Sequence, residues 1–119
     1  MAGSVEFAFS SDEMILALIS LIRTTNPSML RPSPDGFSVD FEALDKKTAL
    51  TADERLMMKF RVALESPPTE ASHPLNLDPA EAQRLGETLE KLESLQPWPA
   101  DVLAMSGALR ARLAASAQG

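Results

Sequence analysis

Three times along this chain an apolar residue precedes a capping side chain and, three residues later, a glutamate: Phe9-Ser10-Glu13, Leu50-Thr51-Glu54 and Leu77-Asp78-Glu81. Each is a capping box, in which the first side chain accepts the N3 amide and the glutamate accepts the N-cap amide. Three helix starts are therefore fixed before any hydrophobic pattern is consulted. The boxes are 41 and 27 residues apart, from Ser10 to Thr51 and from Thr51 to Asp78. A repeat architecture needs a constant period, so the boxes mark helix starts rather than duplicated units.

The third box heads the clearest helix, 77–95, with Pro79 at N1, where its missing N–H is harmless. Ala82, Leu85, Leu89 and Leu92 form one apolar stripe, while Arg84, Glu87, Glu90, Lys91 and Glu93 occupy the other faces. The first box heads a helix of about 12–24, stopped by Asn26-Pro27 and apolar around most of its circumference. Ile15, Leu18, Ile19 and Ile22 are expected to be its buried face. Met14, Leu16, Ala17 and Leu21 are expected to stay uncovered as a candidate interface, which Met57 and Met58 extend as an adaptable surface.

Behind the second box, Leu56, Phe60, Ala63 and Leu64 make a third stripe, ended by Pro67-Pro68. Gln96-Pro97-Trp98-Pro99 then turns the chain into a last helix of about 99–115, antiparallel to its predecessor. Ala104, Ala108, Ala111 and Ala115, beside Gly107, are expected to face Gly86 in a close approach, with Trp98 at the junction.

Alternation of Val5, Phe7 and Phe9 predicts a strand over 5–9, and that of Phe37, Val39 and Phe41, after the Pro34-Asp35-Gly36 turn, a second over 37–41. Residues 28–31 could pair with the second as a hairpin, and Leu75 and Leu77 suggest a further short strand. Residues 42–49 read either as a helical turn or as a loop. Flexible stretches are expected at 25–36, 66–74 and 116–119. The predicted fold is one small α+β domain, mainly helical, with about four helices and a small sheet or hairpin built from 5–9 and 37–41; an all-α bundle is the alternative.

Composition narrows function chiefly by exclusion. The 119 residues carry a net charge of −6, −3 in each half, so no basic region exists to neutralise nucleic-acid phosphates. The basic sides offered by Arg55, Lys59 and Arg61, and by Arg110 and Arg112, are modest; the last two suit a helix C-terminal dipole. With no cysteine there is neither disulfide nor thiolate chemistry, which suits a cytoplasmic setting. No signal-like leader or membrane-length apolar run is present.

His73, the only histidine, sits in what reads as a polar linker, without a partner to orient it as a base. Glu87 and Glu90, a turn apart, lack the histidines of a di-iron site and read as a solvated acidic face. No catalytic, cofactor-binding or metal site is therefore expected, nor an enzyme. The expectation is a small protein–protein interaction or regulatory module, such as an adaptor, regulatory subunit or inhibitor, forming a homodimer or binding a protein partner through apolar helix surface. A small-ligand domain or carboxylate-based enzyme is the alternative.

Overall fold

All three capping boxes form. Glu13 N–H donates to Ser10 Oγ at 3.1 Å and Ser10 N–H to Glu13 Oε1 at 2.9 Å. The equivalent pairs measure 3.2 and 2.9 Å at Thr51 and Glu54, and 2.8 and 3.0 Å at Asp78 and Glu81. The computed structural model describes residues 5–34, 36–65, 72–95 and 97–118.

In chain order come β1 (Val5–Phe9), α1 (Ser11–Thr25), a 3-10 turn (Pro27–Met29), β2 (Leu30–Ser33), β3 (Gly36–Val39) and the single-turn α2 (Glu42–Asp45). They are followed by α3 (Ala52–Glu65), β4 (His73–Leu77), α4 (Pro79–Leu95) and α5 (Ala100–Gln118). This is a mainly helical α+β fold, as the sequence predicts.

The expected hairpin between residues near 28–31 and the second strand forms, as β2 with β3, but the first strand has another partner. The segments 5–9 and 37–41 do not pair with each other; β1 pairs antiparallel with β4, and β3 with β2. In the β1–β4 ribbon Phe7 lies opposite Leu75 and Phe9 opposite His73. The reason is matched alternation. His73, Leu75 and Leu77 point inward while Pro74 and Asn76 point out, so β4 extends the inward layer begun by Phe7 and Phe9. The β2–β3 hairpin is local, about the Pro34 turn, so it closes a shorter loop than a distant partner would require.

Of the stretches expected to be flexible, 25–36 contains the 3-10 turn and β2, and residues 73 and 74 belong to β4. Residues 66–71 and 119 lie outside the described ones.

The core gathers beneath the β1–β4 ribbon. Phe9, Phe60, Met14, Leu21, Ile22, Met57, Leu85 and Leu89 are fully enclosed, and Met29 and Leu44 plug one end. The α4 stripe lies in the core as its periodicity requires, and Thr88 joins it. Thr88 Oγ1 meets Ser20 Oγ of α1 at 3.0 Å, and each hydroxyl also lies within hydrogen-bond reach of its own helix's carbonyl, Leu85 O or Ala17 O. Each has one proton, so one hydroxyl donates across the interface while the other donates to its own helix.

That contact fixes the rotation of α1 and changes the expected assignment of its faces in part: Leu18 and Ile22 are buried as expected, but Ile15 and Ile19 are not. Ser20 points inward, while Asp12 and Arg23 remain in water. Ile15 and Ile19 share the arc of those two charges and turn outward with them: Ile15 is 44% exposed and Ile19 half-buried. Met14, Ala17 and Leu21 turn into the core instead.

In helix α5 the expected faces are reversed. Leu109, Leu113 and Ser106 are buried, whereas Ala104, Ala108, Ala111 and Ala115 are exposed. Burying two leucines removes far more apolar area from water than burying alanines, so the larger stripe wins the inward side. A Cβ built on Gly86 or Gly107 meets nothing within 4 Å, so the expected close approach at these glycines does not occur. Trp98 does lie at the junction, half-buried, its Nε1 donating to the Leu92 carbonyl at 2.7 Å.

Candidate functional site

The surface proposed from sequence is mostly interior. Met14, Ala17, Leu21 and Met57 are fully buried within this one chain and cannot present a free interface. Leu16 and Met58 are half-buried and pack against the core. The basic helix sides are also engaged internally. Arg55 donates to the Leu50 carbonyl, Lys59 to Glu81, Arg61 to Asp45 and Arg84 to Asp53.

Arg110 and Arg112 do not serve the C-terminal dipole of α5, because the helix runs on to Gln118. Arg110 binds Glu93 of α4 through Nε at 2.6 Å and Nη2 at 3.0 Å. Burial pushes the Glu93 carboxyl up, but Arg110 and the Ser106 hydroxyl outweigh it and hold its pKa below the ordinary value. Arg112 reaches the other way, donating to the Ala8 carbonyl at 2.7 Å and stacking 5.7 Å from the Phe9 ring centroid.

Glu54 is more deeply enclosed than Glu93, 2% exposed. Lys47 first, then the Thr51 amide, lowers its pKa to about 2 against the opposing effect of burial, with Asn26 also donating. This cluster ties the turn after α1 and the segment after α2 to the start of α3, so its chemistry is structural.

Two features of the described residues are placed to meet another molecule. The first is the outer side of α5. Leu103, Ala114, Gly107, Ala100, Ala111, Ala104, Ala115 and Ala108 follow one another around an arc of roughly 140° at the α-helical pitch, with no charged residue among them. All are exposed except Gly107, which is half-buried. Beside this arc, a cleft of about 390 Å³ opens between α4 and α5, lined by Ala82, Gly86 and Ala114 and rimmed by Gln83, Glu87, Glu90 and Arg110.

The second lies at the strand-to-helix junction. His73 is not in a solvated linker; it is the first residue of β4 and only 4% exposed. Its Nε2 lies 2.9 Å from Ser11 Oγ, at the first position of α1, and its Nδ1 lies 3.0 Å from the Ala63 carbonyl. A carbonyl oxygen only accepts, so in the neutral imidazole Nδ1 carries the proton and Nε2 is the acceptor. The hydrogen shared with Ser11 is therefore the serine's own. Sequence spacing hides this pair, 62 residues apart. The inward period of His73, Leu75 and Leu77 is the signal that could have exposed it, by removing His73 from the linker.

Among the described residues, no group of three or more His, Asp or Glu side chains is placed to hold a metal ion, and no helix is long and apolar enough to cross a membrane. No family model, curated protein or solved structure matches this chain.

Proposed function

We propose that this protein is a small protein-binding module whose working surface is the outer side of α5, and that its partner there is a second copy of the chain. The observation that carries the reading is the charge-free arc of α5 in a chain that is 24% charged. A solvated helix face ordinarily holds Lys, Glu or Gln; from Ala100 to Ala115 this one holds alanine, glycine and a single leucine, which suit close helix approach.

Charge favours self-pairing. Antiparallel two-fold pairing about Ser106 and Gly107 brings Asp101 of one copy opposite Arg112 of the other, twice by symmetry. Asp101 is exposed, and Arg112, 41% exposed at its side chain, keeps N–H donors beyond those given to Ala8 and Glu13. Area sets the strength. A 19-residue helix is about 28 Å long, so α5 covers on the order of 280 Å² per copy, well short of the roughly 800 Å² of a stable interface. The association is therefore weak and concentration-dependent, as suits a regulatory contact.

Sedimentation of the 12.9 kDa chain from micromolar to millimolar concentration tests this. The average mass should rise toward twice that of the chain, and Ala111→Glu should hold it at one copy without changing the melting temperature. Wild-type protein that stays monomeric at millimolar concentration would exclude the reading.

A further inference from the structure

The junction between β1 and α1 carries chemistry that the α5 surface does not use. The pairing of Phe9 with His73 sets the imidazole beside the start of α1, where Ser11 occupies the first helical position. Ser11 is exposed while His73 is enclosed, so the serine hydroxyl is the end of the pair that meets solvent. We propose that Ser11 is a nucleophile activated by His73, and that the junction reacts with short, neutral or cationic activated acyl esters.

Three elements of an acyl-transfer site are in place. The nucleophile already donates its proton toward the base, at 2.9 Å. The base is held in the required tautomer by the Ala63 carbonyl, the task that a buried carboxylate performs in a serine triad. Oxyanion stabilisation comes from the first turn of α1. The capping box uses the amides of Ser10 and Glu13, while those of Ser11 and Asp12 at N1 and N2 have no partner within the helix.

The substrate class follows from the surroundings. The exposed start of a helix suits a small acyl group, and the exposed Asp12 carboxylate disfavours an anionic one, Glu13 being paired with Arg112.

The reaction balances as ester hydrolysis. Ser11 Oγ attacks the carbonyl carbon while His73 Nε2 takes the hydroxyl proton. Collapse of the adduct breaks the bond to the leaving alkoxide, which receives that proton and departs as the alcohol. Water then attacks the acyl-serine, giving a proton to Nε2. That proton returns to Ser11 as the carboxylic acid leaves.

A neutral fluorophosphonate probe, with peptide mapping by mass spectrometry, reads the first step without requiring turnover. Ser11 should be labelled about a hundredfold faster than the exposed Ser28 and Ser38, the lower end of what a positioned base supplies. Ser11→Ala should lose the label while circular dichroism shows it folded. His73→Asn retains a donor toward Ala63 but no base, and, once circular dichroism shows it folded, should label Ser11 no faster than Ser38. Wild-type Ser11 labelling at the rate of Ser28 and Ser38 would overturn the proposal, whatever His73→Asn does.

Discussion

Helices α1 and α5 are both apolar well beyond one face, and the fold treats them in opposite ways. In α1 the large side chains turn inward on a broad front, and what is left outside is Ile15 and Ile19 beside Asp12 and Arg23. In α5 only Leu109, Leu113 and Ser106 are buried, and the alanines are left in water. Each turns on which residues are costly to leave on the wrong side. For α1 these are two charges that need water; for α5 they are two leucines that gain by leaving it. Apolar character alone is thus a poor guide to orientation; the size and charge of the extreme members decide it.

The comparison is broken most forcefully at α1. Leu21→Ala should cost about 2–5 kcal/mol in denaturant unfolding, as for a fully enclosed leucine. A loss well under 1 kcal/mol would return Leu21 to the surface.

The clasp after α1 comes next. Glu54→Gln removes a carboxylate that accepts from Lys47, Thr51 and Asn26, and should cost about 1–3 kcal/mol at neutral pH. The folded pKa is depressed from 4.5 to about 2, so the carboxylate's stabilisation is present above pH 4.5 and lost as pH falls toward 2. Wild type should therefore lose more stability than the variant over that window in acid titrations followed by circular dichroism. Parallel curves would mean that Glu54 is not held by these partners.

Thr88→Val tests the contact that sets the rotation of α1, and should cost about 1 kcal/mol, since Ser20 keeps its own Ala17 carbonyl. A neutral result in thermal melts would leave the turning of α1 to Asp12 and Arg23 alone.

At the α5 side the effects shrink and change sign. Gly86→Ala meets open space and should stabilise by about 0.5–1 kcal/mol. Destabilisation would show that the two helices do close on this glycine. Ala111→Glu should change folding stability by no more than about 0.5 kcal/mol, as at a plain surface site. A larger loss in chemical denaturation would place the alanine row against the protein after all.

Local chemistry was the most legible level of the sequence. The capping boxes depend on residues three apart, and the α4 stripe on a period that water imposes directly, so both could be read from neighbours alone. Strand pairing was less accessible, because β1 must choose between β3 and β4 and the inward period of β4 shows only once His73 is counted with Leu75 and Leu77. The rotation of α1 was hidden by Ser20, whose hydroxyl looks solvated until Thr88 supplies its partner from 68 residues away. The Ser11–His73 pair was hidden for the same reason: reading His73 as linker kept it off β4, the strand that sets it beside Ser11.

The two-stranded ribbon also bears on how copies of this chain avoid joining wrongly. Strand edges invite pairing with any extended segment, and the route from a folded monomer to a fibre commonly begins there. Here each strand has a carbonyl claimed by a cation from a helix: Ala8 by Arg112 of α5 at 2.7 Å, and Asn76 by Lys59 of α3 at 3.3 Å. Pro74, with no N–H, offers an incoming strand no donor at that position. The guard on β1 is carried by the helix proposed to bring copies together. Fraying of the C-terminal half of α5 would therefore release a controlled side-to-side contact and uncover an edge open to unlimited growth.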